Sequence, residues 1–170
     1  MRLVHWIAIL AIAGLIGGLG WRYYQLANAP REPLPTLTLQ TIDGLPGWES
    51  LATGRPALLH VWGADCADCQ GEHILLQALR DEGIPIYGIS ADELASRSRT
   101  YLEERGNPFA AVMRDVEGQS ARALEVEQFP TTFILSADGE VLARMDGPMD
   151  VVVLRNRVYP ILEREYRRAR

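Results

Sequence analysis

Residues 57–69 read Ala57-Leu58-Leu59-His60-Val61-Trp62-Gly63-Ala64-Asp65-Cys66-Ala67-Asp68-Cys69, and this stretch decides the fold. Pro56 to Trp62 is an apolar run of the kind that forms a buried strand. Behind Cys69 the apolar residues Ile74, Leu75, Ala78 and Leu79 recur with helical period, which predicts a helix from Cys66 to about Arg80 with those four inward. A strand therefore ends in Cys-x-x-Cys at a helix N-terminus. Unpaired N–H groups and the positive end of the helix dipole stabilise a thiolate there. The spacing also lets the second thiol reach the first within one turn, so a mixed disulfide can be resolved within the chain.

Cys66 and Cys69 are the only cysteines in 170 residues. Dithiol redox chemistry is the reading their context favours. A purely structural disulfide would constrain the unfolded chain little across so short a loop. A zinc site needs about four ligands, and neither a second Cys pair nor a His-x-x-x-His accompanies these two, so no metal is expected.

Residues 1–22 form the second feature. Leu3 to Trp21 is almost wholly apolar, with His5 the only ionisable side chain. About 19 such residues suit a membrane span. Trp6, Trp21, Tyr23 and Tyr24 lie near its ends, as in aromatic belts. A cleaved signal peptide is the alternative, with Ala27-Asn28-Ala29 resembling a cleavage site, but Pro30 would follow the cut and the apolar stretch is long. Either way residues from about 30 onward lie outside the cytoplasm.

Residues 23–35, with three prolines, read as a linker, and 36–170 as one domain. A net charge of −5 argues against a nucleic-acid partner. All 17 basic residues are arginine, which excludes lysine chemistry such as a Schiff base. Further strands are expected at Leu37–Thr41, Ile84–Ile89 and Phe109–Met113, with a hairpin from Thr132–Leu135 and Glu140–Met145 across Ala137-Asp138-Gly139. Helices are expected at Asp92–Glu104, with Asp92 as capping signal, at Glu117–Leu124, and at Val151–Arg168 with an interruption near Pro160. The order implies an α/β fold, a mixed central sheet with helices on both faces, preceded by one N-terminal transmembrane helix.

Residues 34 to 168 resemble the thioredoxin superfamily, and within it the membrane-anchored TlpA/ResA-like and CcmG/DsbE-like thiol-disulfide oxidoreductases. The likeness rests on Leu58-Leu59-His60-Val61-Trp62, the two cysteines, Glu72-His73, Gly106-Asn107-Pro108-Phe109, and Phe129-Pro130-Thr131-Thr132-Phe133-Ile134-Leu135 before Asp138-Gly139. Glu72-His73 and Gly106 to Phe109 look like the cytochrome c maturation subgroup. Pro130-Thr131-Thr132 looks like the broader TlpA/ResA group. Asp65 and Ala67 depart from the Trp and Pro common in the family.

The resemblance implies that Cys66 attacks, Cys69 resolves, and Pro130 is a cis-proline against the site. It assigns client contacts to Phe129, Trp62 and Thr131. No cofactor beyond the Cys66–Cys69 disulfide is implied. The implied partners are protein thiol or disulfide clients, such as apocytochrome c or its assembly factors, and a membrane electron donor of the DsbD/CcdA type, at the extracytoplasmic side of the cytoplasmic membrane. A general envelope reductase or oxidase, or a copper-binding module, are the alternatives. His60 stands where ordinary thioredoxins bury a carboxylate, and could carry the proton of Cys69. Asp65, Asp68 and Glu72 would raise the thiol pKa and favour a reductant, unless solvent screens them.

Overall fold

Ala57–Trp62 is buried at every position. A strand without a polar face must lie between neighbours and beneath cover on both sides, and this one (β3) becomes the centre of the sheet. In the computed structural model, residues 11–22, 31–37, 39–42 and 54–168 are described. Residues 11–22 form helix α1, which belongs to a unit separate from the one that begins at Glu32. No helix among the described residues is long and apolar enough to cross a membrane. Residues 1–10 of the expected anchor lie outside the described residues.

From Glu32 onward the elements are β1 (Glu32–Pro33), β2 (Leu39–Thr41), β3, α2 (Ala67–Asp81), β4 (Ile86–Ser90), α3 (Ala95–Arg105), β5 (Ala111–Asp115), α4 (Gln119–Ala123), β6 (Thr131–Leu135), β7 (Glu140–Asp146), α5 (Val151–Val153) and α6 (Tyr159–Arg168). Among the described residues the strands form one seven-stranded sheet in the order β1-β7-β6-β3-β4-β5-β2. β3 runs parallel to β4 and antiparallel to β6, with His60 opposite Gly88 and Thr132. The stretch expected as a linker thus ends in a strand, β1, whose Pro33 sits opposite Glu140 at the sheet edge. A proline is tolerated there because an edge strand can lack a donor.

Alternation along β3 sorts the core into two layers. Leu58 and Trp62 pack with Leu76 and Leu79 of α2, Leu102 of α3, and Leu154, Val158 and Leu162 of the C-terminal helical segment. Leu59 and Val61 face the other way, with Leu37, Leu39, Tyr87, Met113, Leu124 and Phe133. Each such buried side chain contributes about 1.5–3 kcal/mol. The cover is unequal: α2, α3, α5 and α6 lie on one face, while Leu124 behind the short α4 and the segment around Leu37 close the other. His60 shares the face of Leu58 and Trp62, and so lies beneath α2.

Three local features have physical causes: two differ from the sequence reading, and the third, the interruption near Pro160, agrees with it. The buried stripe of α2 is Cys69, Glu72, His73, Leu76 and Leu79, while Ile74 is 71% exposed and Ala78 is exposed as well. Two polar residues take the inward positions that Ile74 and Ala78 were expected to hold. The predicted helix at Glu117 starts late, because Glu117 and Gly118 adopt φ of 60° and 67°. The Asp115 carboxylate then accepts from the N–H groups of Ser120 and Ala121 to begin α4. The final helix is interrupted ahead of Pro160 by a π-turn over Leu154–Val158, where the missing proline N–H breaks the ladder.

Candidate active site

Cys66 is the N-cap of α2, and the N–H of Cys69 donates to its Sγ at 3.1 Å. The two sulfurs form a disulfide. Cys66 is half-buried whereas Cys69 is 4% exposed. A client can reach the first sulfur and not the second, which fits an attacking Cys66 and a resolving Cys69. The Phe129–Pro130 peptide is cis, as expected. Phe129 is 40% exposed, so its ring is open to a client.

Beneath the disulfide a buried polar chain joins three elements. His60 Nδ1 and Thr132 Oγ1 share a hydrogen bond of 2.9 Å between β3 and β6. His60 Nε2 lies 3.2 Å from Glu72 Oε1, without hydrogen-bond alignment. The N–H of Met149 donates to Glu72 Oε2 at 2.6 Å. Burial pushes the Glu72 carboxyl up to about 7; the Met149 N–H opposes this and the charge of Asp68 adds to it. Burial drives His60 down to about 3, helped by His73. Burial therefore holds the imidazole in its neutral form, and of the two groups Glu72 is the one shifted toward neutrality. Cys69 and Glu72 are three apart on the same buried face of α2.

Trp62 and Thr131, unlike Phe129, are buried. Trp62 is 2% exposed, its ring 5.4 Å from that of Phe109 and 5.5 Å from that of Tyr101. A Cβ on Gly88 would meet the indole and the Phe109 ring at 3.0 Å, so glycine makes room for the stack. Thr131 is fully buried, and its hydroxyl donates to the Gln128 carbonyl at 2.8 Å. The resemblance placed both at the client surface; strands β3 and β6 turn them inward.

Asp65 is exposed but paired with Arg97 from α3, and Asp68 lies exposed in the first turn of α2. Sequence reasoning missed Arg97. It also misread Asp92: the N-cap of α3 is Leu94, without a side-chain cap. Asp92 is instead buried, accepting from the Ala64 N–H at 3.1 Å and from the hydroxyls of Ser90 and Ser98. Its position just before a helix imitated a cap. Gln70, whose side-chain amide donates to the Ala64 carbonyl at 2.8 Å, carried no signal. Among the described residues no group of three or more His, Cys, Asp and Glu side chains is placed to hold a metal ion.

A mixed sheet that presents a Cys-x-x-Cys disulfide at a helix N-terminus, with a cis-proline immediately before the neighbouring strand β6, defines a thioredoxin-like thiol-disulfide oxidoreductase. The sequence profile of the AhpC/TSA family matches residues 30–144, and the chain belongs to that family of thioredoxin-like proteins. It is 30% identical over 135 residues to the thiol:disulfide interchange protein DsbE of Pasteurella multocida, covering 78% of this chain and 75% of that one. It is 32% identical over 126 residues to DsbE of Pseudomonas fluorescens biotype C, covering 74% and 71%. The crystal structure of a DsbE-like protein from Chlorobium tepidum superposes with a TM-score of 0.65 at 22% identity, covering 78% of this chain and 96% of that one.

Proposed function

We propose that this oxidoreductase is a membrane-tethered reductase of protein disulfides on the extracytoplasmic side, acting on the Cys-x-x-Cys-His segment of apocytochrome c or on a partner carrying it. One observation carries the reading. The two segments that resemble the cytochrome c maturation subgroup meet in space: His73 Nε2 is hydrogen-bonded to the Gly106 carbonyl at 2.9 Å, and Phe109 stacks on Trp62 directly behind the disulfide strand. The relatives named DsbE support the same chemistry. The apolar run from Leu3 to Trp21 supports the tether.

In the reaction, the Cys66 thiolate attacks one sulfur of the client disulfide. A mixed disulfide forms and the other client sulfur leaves as a thiolate. Glu72 takes the proton of Cys69. The Cys69 thiolate attacks Cys66 Sγ, releasing the second client thiolate and closing the Cys66–Cys69 disulfide. Two electrons pass to the client, and a membrane dithiol donor of the DsbD/CcdA type restores the reduced pair.

The test uses the reduced full chain in detergent micelles with an oxidised Cys-x-x-Cys-His peptide and with insulin as a general disulfide. Faster reduction of the peptide, and mixed disulfides that accumulate with Cys69→Ser but not Cys66→Ser, are the expected results. Equal rates on both substrates would make the protein a general reductase. Trapping through Cys69 would reverse the roles of the cysteines.

A further inference from the structure

The turn that carries Cys66 is held from two elements, the β4–α3 connection and α2 itself. The Ala64 N–H donates to both carboxylate oxygens of Asp92, at 3.2 and 3.1 Å. The Ala64 carbonyl accepts from the Gln70 side-chain amide at 2.8 Å. The Cys66 N–H donates to the Gly63 carbonyl at 3.2 Å. Asp92 is itself fixed: Ser90 and Ser98 donate to its Oδ2, and its own N–H donates to Ser90 Oγ at 3.2 Å. Both serines are almost wholly buried. A Cβ on Gly63 would stand 3.4 Å from Asp92 Oδ1, so the residue preceding Ala64 lies against the carboxylate too.

We propose that Asp92 is a positioning residue for the attacking thiol. One residue, Ala64, is held at its N–H from the β4–α3 connection and at its carbonyl from α2. This sets where the chain enters α2, and hence whether Cys66 Sγ sits in line with the Cys69 N–H that stabilises its thiolate. The inference rests on Cys66 as the attacking thiol. Removing a carboxylate also removes a negative charge, which by itself lowers a neighbouring thiol pKa. Two uncharged variants separate the effects. Asp92→Asn keeps an acceptor for the Ala64 N–H. Asp92→Ala keeps none. The other ionisable groups on the elements around the turn, namely Asp65, Asp68, Glu72, Arg97 and His60, are common to both.

The experiment is alkylation of Cys66 against pH, with reduction of the peptide disulfide measured alongside, in the full-length chain in micelles. The Cys66 midpoint in Asp92→Ala should lie above that in Asp92→Asn, and its client reduction should be about tenfold slower. Gln70→Ala, at an exposed position, should move the midpoint upward from wild type. Equal midpoints and rates in the two Asp92 variants would overturn the proposal. Should the Asp92 variants fail to fold, Gln70→Ala decides alone: a raised midpoint supports the clamp, and a wild-type midpoint overturns it. Which cysteine alkylates first in the wild type reports separately on the role of Cys66.

Discussion

Glu72 and His60 face one another in the interior, Oε1 and Nε2 3.2 Å apart, one helical turn beyond the buried Cys69. The carboxylate that ordinary thioredoxins carry on the central strand is thus supplied here from the helix, and the strand supplies an imidazole against it. Burial favours the neutral form of both groups. Of the two, only Glu72 exchanges its proton near neutrality.

Resolution of the mixed disulfide should therefore follow Glu72. In the wild type its rate is expected to rise with pH through about 7. Glu72→Gln should lose that inflection and slow the step by about 10²-fold, the size of ordinary general base catalysis, leaving the attack by Cys66 nearly intact. His60→Asn should slow resolution less and keep the inflection. Rapid-mixing kinetics separate the two steps, and an inflection that vanishes with His60 instead would return the proton to the imidazole.

Folding stability should carry both signatures. Glu72 binds its proton more tightly in the folded chain, so its contribution is fully present below about pH 4.5 and is lost as pH rises through about 7. His60 binds its proton less tightly, so stability is lost as pH falls from about 6.5 toward 3. Glu72→Gln should gain about 3 kcal/mol relative to wild type between pH 4.5 and 8. His60→Asn should flatten the acid limb. Urea midpoints of the oxidised proteins across this range check both slopes.

Phe129 and Trp62 should separate cleanly. Phe129→Ala is expected to raise the KM for a protein client and leave Tm within about a degree or two, because the ring is partly exposed. Trp62→Ala should cost about 3–5 kcal/mol of stability through the cavity it leaves. Thermal melts paired with client titrations distinguish surface from core.

Arg97 pairs with Asp65, the residue before Cys66. Arg97→Ala frees that carboxylate, and the Cys66 alkylation midpoint should move up by a few tenths of a pH unit. Asp65→Asn in the same background should reverse the shift. A midpoint indifferent to Arg97 would make the ion pair a solvated bystander.

The redox pair, its strand and its helix were legible because cysteine spacing and apolar period are local signals. The site beneath them was not. Periodicity assumes that apolar residues point inward, yet α2 buries Glu72 and His73 and exposes Ile74. That inversion is understood only once His60, itself bonded to Thr132, and the Met149 N–H are seen to meet Glu72 from other elements. Asp92 misled for the same reason: a carboxylate near a helix start is read as a cap, and only the fold brings Ala64 to it. Pro130 needed a family likeness, since sequence offers little ground for a cis bond.

The two margins of the sheet have a bearing on how the protein survives its own clients. β1 spans Glu32–Pro33 and β2 spans Leu39–Thr41. Margins this short, one of them carrying a proline that cannot donate, are poor templates for a stray strand. In the proposed role, an extended client segment can then be gripped through sulfur and released, without seeding an aggregate along the flank of the sheet.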